Sequence, residues 1–155
     1  MILIRRALPG ENYLLTEITI AAKRHWNYPE KWMQLWLPAL TISPEYILEN
    51  EVWLAVVSDA PVAYYALKQD GKDLWLDNLW ILPKYIGNGF GRELFQHALE
   101  RSRARDTFIL KIEADPNAQG FYEKMGAYKI DEHYTEVDGQ SRILPIMEIN
   151  DYKEL

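Results

Sequence analysis

The chain has 155 residues, 48% of them hydrophobic and 26% charged, and it contains no cysteine. This length is sufficient for one domain with a hydrophobic core, and the missing cysteines exclude disulfides, thiolate zinc sites and a cysteine nucleophile. The net charge of -6 disfavours nucleic acid as a partner, and the sequence has neither an apolar run that could span a membrane nor the ordered regions of a signal peptide. We therefore expect a soluble, cytoplasmic protein with one domain over residues 1–155.

The first third of the chain predicts a strand followed by three helices. Leu14, Leu15 and Ile18 recur at helical spacing, and a proline at each end delimits the second helix. A Ser-Pro-Glu sequence has the features of a helix cap and first turn. The predicted elements are a strand over Met1–Leu8, a helix over Glu11–Arg24, a helix between Pro29 and Pro38, and a helix from Ser43 that ends before Glu51.

The middle of the chain predicts an antiparallel meander of three strands. Its short runs are rich in β-branched and aromatic residues, and turn sequences separate them at positions 58–61 and 70–71. The predicted strands are Val52–Val57, Val62–Leu67 and Leu74–Leu82.

The rest of the chain predicts two helices and three strands. Asp115 is a helix cap with Pro116 at the first helical position, and Gly126 stops that helix. The predicted elements are a helix over Phe90–Ala104, a strand over Phe108–Ile112, the helix after Asp115, and strands over Tyr128–Val137 and Ile143–Ile149. The whole order indicates a mixed α/β or α+β sheet, with a parallel crossover where the helix after Pro83 links two strands.

A glycine-rich segment lies between the third strand of the meander and the following helix. Gly87, Gly89 and Gly91 occupy alternate positions, so the backbone can approach a ligand closely and point free amide groups at it. Such a segment can bind phosphate. Its spacing matches neither the dinucleotide fingerprint nor a Walker loop, and a plain turn with a helix cap is the alternative interpretation.

A second segment, Glu113–Ala127, strengthens the first interpretation. Together the two segments resemble the GNAT superfamily, the acyl-CoA-dependent N-acetyltransferases. In the family's pyrophosphate loop, Gln/Arg-x-x-Gly-x-Gly/Ala, Gly89 and Gly91 take the two small positions, and Ile86 takes the place of the Gln or Arg. The sequence Phe121–Gly126 resembles the family's Phe-Tyr-Glu-Lys-x-Gly turn.

The resemblance also covers the order of elements along nearly the whole chain. It implies one N-acetyltransferase-like α/β (α+β) domain with a mixed, mostly antiparallel sheet of about seven strands, flanked by helices, with a splayed parallel strand pair at its centre. Two further segments, Ala22–Tyr28 and Arg142–Glu148, resemble a bacterial branch of the superfamily whose acceptors are mostly unassigned.

Acetyl-CoA is the co-substrate that the resemblance implies, without a metal ion. The exposed backbone of the strand that ends at Leu82 would pair with the pantetheine arm, and an amide in it would face the thioester oxygen. Asp115 stands where the family has an asparagine, so that cofactor contact would pass to Asn117 or be lost. The implied cofactor-binding residues are Leu79, Trp80, Ile81, Leu82, Gly87, Asn88, Gly89, Phe90, Gly91, Arg92, Asn117 and Tyr122.

Local charge is consistent with an anionic cofactor at this segment. The stretch from Lys84 to Lys111 has six basic and three acidic residues, so the remainder of the chain carries -9. The excess of positive charge would attract the cofactor, and the acidic remainder would attract a cationic amine. The alternative is that Arg101, Arg103 and Arg105 are a solvated helix end that complements the helix dipole.

The resemblance implies that Tyr122 is the general acid, since a phenol can return a proton to a departing thiolate. The alternative is a packed tyrosine whose hydroxyl is bonded locally. Asp77 and Glu113 are the candidate bases, and either is equally well explained as a solvated structural carboxylate. Strand alternation predicts that Asp77 faces away from Trp80.

The acceptor pocket of this superfamily forms at the end of the first helix. His25, Trp26 and Tyr28 are therefore the candidate substrate-binding residues, although a histidine at a helix C-terminus is also ordinary dipole complementation. Tyr28, Trp32 and Trp36 form a stripe that is either core packing or an aromatic wall for a cationic amine. The other two histidines, at positions 97 and 133, are expected on the surface.

Three functions stay open at this point. The first is transfer of an acetyl group from acetyl-CoA to a primary amine of a small molecule or peptide, by direct attack in a ternary complex. The second is a non-catalytic module that binds or senses acyl-CoA, and the third is an interaction protein without a cofactor. A monomer and a homodimer are both compatible with the sequence.

Overall fold

The structure is a computed structural model that describes residues 2–150. Met1 of the first predicted strand and residues 151–155 of the predicted domain lie outside the described residues. The strands are β1 (Ile2–Arg6), β2 (Glu51–Val57), β3 (Ala60–Asp70), β4 (Asp73–Ile81), β5 (Ile109–Glu113), β6 (Tyr128–Val137) and β7 (Gln140–Asn150). The helices are α1 (Asn12–Arg24), α2 (Glu30–Leu40), α3 (Pro44–Glu49), α4 (Phe90–Ala104) and α5 (Gln119–Lys124).

The strands form one sheet in the order β1-β2-β3-β4-β5-β7-β6. Every neighbouring pair is antiparallel except β4 and β5, which are parallel and are joined through α4. Their pairing is confined to Leu74 with Leu110 and Trp75 with Lys111. Beyond these pairs β4 and β5 separate, and we call the opening between them the split. The seven-stranded mixed sheet with a central splayed pair is therefore confirmed.

Two helices differ from their predicted bounds by more than one residue. α2 continues through Pro38 to Leu40, because proline in the last turn removes one backbone donor but has a helical φ. Asp115 does cap the next predicted helix, since its side chain accepts from the Asn117 amide, but the first turn is a 3-10 turn and α5 begins only at Gln119.

Each face of the sheet has its own core cluster. On one face, Leu94 and Phe95 of α4 and Tyr122 of α5 pack against β3, β4, β5 and β7. On the other, Leu15 of α1 and Ile47 of α3 pack against β2 and β3. The split therefore opens between a face covered by α4 and α5 and a face covered by α1 and α3.

β4 contains an irregularity at Asp77. Its neighbours Leu76 and Asn78 pair with consecutive residues of β3, which leaves Asp77 without a cross-strand partner. An extra residue of this kind reverses the alternation of side chains along the strand. Leu76 and Leu79, three positions apart, accordingly pack on the same core cluster.

The close approach of α4 to its neighbours depends on Gly91. A Cβ at this position would lie 3.1 Å from Ile81 Cδ1 and 3.1 Å from Phe121 Cε1, whereas a Cβ at Gly120 would have nothing within 4 Å. We expect Gly120→Ala to stabilise the protein by up to about 1 kcal/mol through helix propensity. Gly91→Ala should be about 1 kcal/mol less stable than Gly120→Ala, because overpacking offsets the gain. Urea unfolding of both variants tests this, and equal gains would contradict it.

Candidate active site

A cavity of about 240 Å³ lies at the split. Its walls come from β4 beyond Leu74, the connection between β5 and α5, α5 itself and the end of α1. Most of the lining residues are apolar. The polar ones are Asp77, Asn78, Glu113, Asp115, Asn117 and Tyr122.

A second cavity of about 360 Å³ adjoins the first. Both are lined by Leu76, Asp77 and Glu113, and the second adds Lys68, Asp70 and Trp75. Asp77 and Glu113 therefore stand between an apolar cavity and a polar one.

The predicted cofactor-binding residues divide into two groups. Leu79, Trp80 and Ile81 line the cavity, as do Asn117 and Tyr122. The others lie outside its lining, and Leu82 is held by a hydrogen bond from its amide to the Val62 carbonyl at 2.8 Å. They are Leu82, Gly87, Asn88, Gly89, Phe90, Gly91 and Arg92.

The glycine-rich segment leaves the N-terminus of α4 open to solvent. Gly87 and Gly89 have φ values of 89° and 80°, and Gly89 is the residue that caps α4. This left-handed conformation favours glycine. Exposed Ile86, which lines the cavity, connects this segment to the split.

The positive charge of the α4 C-terminus is already paired. Arg101 Nε donates to Glu51 at 2.5 Å, and Arg105 Nη1 lies 3.4 Å from the same carboxylate. These two arginines therefore do not add to the attraction for an anion at the other end of α4. Beside the glycine-rich segment, the basic residues are Lys84 and the exposed Arg92.

Tyr122 is only 6% exposed and lines the cavity. Its ring packs against Phe95 and Phe121, with centroid distances of 6.0 and 5.2 Å. Its hydroxyl has no hydrogen-bond partner within residues 2–150, so the local hydrogen bond of the alternative interpretation is not formed. The hydroxyl oxygen is also not sealed from solvent. Burial, followed by the nearby Asp115 charge, raises the pKa of Tyr122.

Asp77 turns toward the face covered by α3. Its Oδ2 accepts a hydrogen bond from the Tyr46 hydroxyl at 2.6 Å, and Asn78 Nδ2 donates to that same hydroxyl at 2.8 Å. Tyr46 packs against the core cluster that Trp80 also contacts. The prediction that Asp77 faces away from Trp80 is therefore wrong, because the irregularity in β4 shifts the alternation.

Glu113 ends β5, and its Oε1 lies 3.1 Å from Nδ1 of His133. His133 is exposed, as predicted. His97 is not a free surface residue, because it is half-buried beside Trp53 and its Nδ1 lies 2.6 Å from the Tyr65 hydroxyl.

Asp115 is the centre of a buried hydrogen-bond network. Lys23 Nζ donates to its Oδ2 at 2.8 Å, and the Tyr28 hydroxyl lies 3.0 Å from both carboxylate oxygens. Asn117 Nδ2 donates to the Tyr28 hydroxyl at 2.9 Å and to Asp115 Oδ1 at 3.0 Å. Arg142 Nη2 also donates to the Tyr28 hydroxyl, at 2.9 Å. The network thus joins α1, the connection between α1 and α2, the connection between β5 and α5, and β7.

The network changes the pKa of its members. Burial acts to raise the pKa of Asp115, but the hydrogen bond and charge of Lys23 outweigh it, and the pKa is lowered. The pKa of Lys23 is lowered because its burial outweighs the attraction of Asp115. Burial and then the Asp115 charge raise the pKa of Tyr28 to about 12. Tyr28 is therefore a neutral hydrogen-bonding group at physiological pH.

The aromatic stripe surrounds cations of the chain itself. Lys23 Nζ lies 5.0 Å from the ring centroid of Tyr28 and 4.4 Å from that of Trp36. The Arg142 guanidinium lies 5.1 and 4.8 Å from the same two centroids, while Trp32 stacks on Tyr28 at 5.9 Å. The stripe is therefore neither plain core packing nor an open wall for a cationic acceptor.

The candidate acceptor residues are not equivalent. Trp26 lines the cavity and is 38% exposed, and the His25 ring meets it edge-on at 5.1 Å. His25 is the C-cap of α1 and is not among the lining residues. Tyr28 belongs to the network behind Asp115 and does not line the cavity either.

Lys23 and Arg142 are the residues that sequence reasoning missed. Their side chains are each 10% exposed. One signal existed for Lys23, which lies eight residues after Leu15 and four after Thr19 on the buried face of α1. A lysine in such a stripe indicates a buried partner.

Two absences bear on other classes of site. Between residues 2 and 150, no three His, Asp or Glu side chains are grouped so that they could hold a metal ion. Over the same range, no helix is both long enough and apolar enough to cross a membrane.

Comparisons with known proteins agree on one family. Residues 14–127 match the sequence model of the acetyltransferase (GNAT) family. Peptidyl-lysine N-acetyltransferase YjaB of Salmonella typhimurium is 31% identical over 106 residues, which are 68% of this chain and 68% of that protein.

Solved structures show the same fold. A GCN5-related N-acetyltransferase from Rhodopseudomonas palustris superimposes with a TM-score of 0.80 at 22% identity, over 96% of this chain and 94% of that one. The PaiA N-acetyltransferase of Thermoplasma acidophilum, crystallised in complex with coenzyme A, gives a TM-score of 0.76 at 17% identity, over 97% and 99%.

Proposed function

Because this chain belongs to the acetyltransferase (GNAT) family, we propose that it is one N-acetyltransferase domain over residues 1–155 that moves an acetyl group from acetyl-CoA to a primary amine of a small molecule or peptide. The observation that supports this most is the cavity at the split. There the Tyr122 hydroxyl, which has no hydrogen-bond partner within residues 2–150, lies in the same lining as the carboxylates of Asp77 and Glu113.

The residues at the split fit CoA. The edge of β4 that faces β5 is unpaired from Asp77 to Ile81, and such an edge can bind an extended arm through its backbone groups. The exposed N-terminus of α4, with Arg92 in its first turn, can receive the diphosphate. Leu79–Leu82, Gly87–Arg92, Asn117 and Tyr122 would therefore hold the cofactor. It supplies an acetyl group as a thioester.

Tyr122 is the proposed general acid. A phenol is protonated at neutral pH, and its geometry in the cavity lining lets Tyr122 give that proton to the leaving sulfur. A backbone amide within Leu79–Ile81 that faces the unpaired edge of β4 is suited to bind the carbonyl oxygen as charge develops on it.

Asp77 and Glu113 are proposed to receive the acceptor amine. Their carboxylates stand between the two cavities, so an ammonium that enters from the polar side is attracted to them and can lose its proton there, directly or through water. The chain has no cysteine, so the acetyl group cannot rest on a thiol of the protein. The transfer that we propose is direct, within a ternary complex.

One observation favours a second function, a non-catalytic module that binds acyl-CoA. Ile86 is 49% exposed at the position where the family has Gln or Arg, and it offers the diphosphate no side-chain hydrogen bond. Thermal-shift titration separates both functions from a cofactor-free protein, since CoA at a hundred times its Kd should add about 2.7 kcal/mol of stability. Thiol release from acetyl-CoA that rises with added amine then separates the enzyme from the module. Binding without amine-dependent release would favour the module.

Substitution of the two carboxylates tests their role. We expect the double variant Asp77→Asn, Glu113→Gln to lower kcat/KM for the amine about a hundredfold, the lower end of what general base catalysis contributes. If the two carboxylates share the role, each single variant should lower kcat/KM less than the double variant does. Asp59→Asn, in the exposed β2–β3 turn, is the matched control and should leave the rate unchanged. A double variant with the rate of the control would contradict the assignment.

A further inference from the structure

We infer that the acceptor amine carries a carboxylate, which the buried cations Lys23 and Arg142 bind. This inference rests on the proposed acetyl transfer and narrows its substrate class to small amino acids and related aminocarboxylates. Both cations belong to the two segments, Ala22–Tyr28 and Arg142–Glu148, that the cofactor and the proposed chemistry leave without a role.

The charges of Lys23, Arg142 and Asp115 do not balance. Across residues 2–150, Asp115 is the one carboxylate within 4.0 Å of either cation, at 2.8 Å from Lys23 Nζ and 3.9 Å from Arg142 Nη2. The side chains of all three are nine-tenths or more buried, so solvent does little to screen them. Two buried cations share one buried anion, and buried charges are ordinarily paired.

Arg142 has unused hydrogen-bonding capacity. A guanidinium has five N–H groups in a fork that matches a carboxylate. Within the described part of the chain, the single hydrogen bond of this guanidinium goes from Nη2 to the Tyr28 hydroxyl at 2.9 Å. In that part of the chain, every side-chain nitrogen that is sealed from solvent has a hydrogen-bond partner. The remaining N–H groups of Arg142 have no partner, so they are accessible to solvent.

Contacts within the network hold the Arg142 guanidinium in place from its inner side. The Tyr28 hydroxyl contacts Asp115, Asn117 and Arg142, and the rings of Tyr28 and Trp36 hold the guanidinium at about 5 Å. An arginine held in this way loses little side-chain entropy when it binds an anion.

The network that contains the two cations adjoins the cavity that contains the carboxylates of the split. Asp115 and Asn117 of the network line the same cavity as Asp77 and Glu113. Lys23 and Arg142 lie behind Asp115, outside this lining, so the network places a net charge of +1 beside the cavity while the split places two carboxylates in it. An amine that also carries a carboxylate complements both the network and the carboxylates of the split, whereas a simple amine complements only the carboxylates.

Matched pairs of acceptors test this inference. Thiol release from acetyl-CoA is measured with alanine and alaninamide, with lysine and lysinamide, and with a neutral lysine peptide blocked at both ends. We expect kcat/KM for each amino acid to exceed that of its amide about ten- to a hundredfold, the range of a charged hydrogen bond. Calorimetry with the same pairs in the presence of CoA should show the same order of affinity without turnover.

In Arg142→Gln, the ratio of kcat/KM for the amino acid to kcat/KM for its amide should fall close to one, mainly because KM for the amino acid rises. Arg142→Lys keeps a charge without the fork, so it should retain part of the ratio, and it serves if the glutamine variant does not fold. Arg24→Gln is the control, because Arg24 lies one residue from Lys23 but is exposed and paired with Glu30 at 2.7 Å. It should leave the ratio unchanged.

The outcomes separate the inference from the proposed function. If wild type acetylates the amide or the blocked peptide as fast as the amino acid, the inference is overturned and acetyl transfer stands. An Arg142→Gln ratio equal to that of wild type also overturns the inference. If no amine raises thiol release although CoA binds, the proposed function fails and the inference fails with it.

Discussion

Replacing Tyr122 with phenylalanine is expected to lower kcat for acetyl transfer about a hundredfold while the affinity for CoA stays within twofold. The proposed proton donor is lost, and general acid catalysis contributes about a hundred- to ten-thousandfold. The ring keeps its contacts with Phe95 and Phe121. The hydroxyl has no hydrogen bond to lose within residues 2–150, so thermal stability should hardly change.

Tyr64→Phe is the matched control for this variant. Tyr64 is fully buried, and its hydroxyl lies 2.5 Å from Thr19 Oγ1 on the other face of the sheet. Its loss should cost about 1 kcal/mol of stability without a comparable fall in kcat. Steady-state kinetics and thermal unfolding of both variants are the measurements. Equal turnover of Tyr122→Phe and wild type would remove Tyr122 from the mechanism.

Replacing Asp115 with alanine is expected to destabilise the fold by about 3–5 kcal/mol, the cost of breaking a buried ion pair from one side. The change leaves Lys23 and Arg142 buried without a counterion. It also removes the acceptor of the Tyr28 hydroxyl and of the Asn117 amide. Because whole domains are stable by about 5–15 kcal/mol, this is a large fraction of the total.

Asp115→Asn gives a graded comparison, since it keeps the side-chain volume and an oxygen acceptor but removes the charge. Asp138→Asn is the control, because Asp138 pairs with the exposed Lys31 at 3.0 Å and asparagine tolerates the φ of 49° at this turn, so the change should cost less than about 1 kcal/mol. Chemical denaturation of the three variants gives the free energies of unfolding. A loss below 1 kcal/mol in Asp115→Ala would show that the network is not a buried ion pair in solution.

Much of the fold follows from local sequence. The predicted bounds of α4 and β6 coincide with the observed ones, and Ser43 caps α3 as expected through its bond to the Tyr46 amide. These features depend on residues close together in the chain, namely an apolar period, a cap or a turn. The irregularity at Asp77 depends on pairing with β3 instead, and no feature of β4 alone indicates it.

The site follows from sequence only in part, for the same reason. The segment around Tyr122 and the strand at Leu79–Ile81 are recognisable locally, and they do line one cavity. In the network, Lys23 precedes Asp115 by 92 positions in the chain, and Arg142 lies further along still. Only the assembled sheet brings them together, so their shared charge imbalance could not be predicted.

Direct transfer of the acetyl group is the central claim, and one mass-spectrometric experiment tests it. The protein is mixed with a primary amine and with acetyl-CoA that carries an isotopic label in its acetyl group. The masses of the protein and of the small molecules are then measured as thiol is released. We predict one labelled amide for each thiol and a protein that gains no label. Thiol release without a labelled amide, or label that passes through the protein first, would contradict the claim.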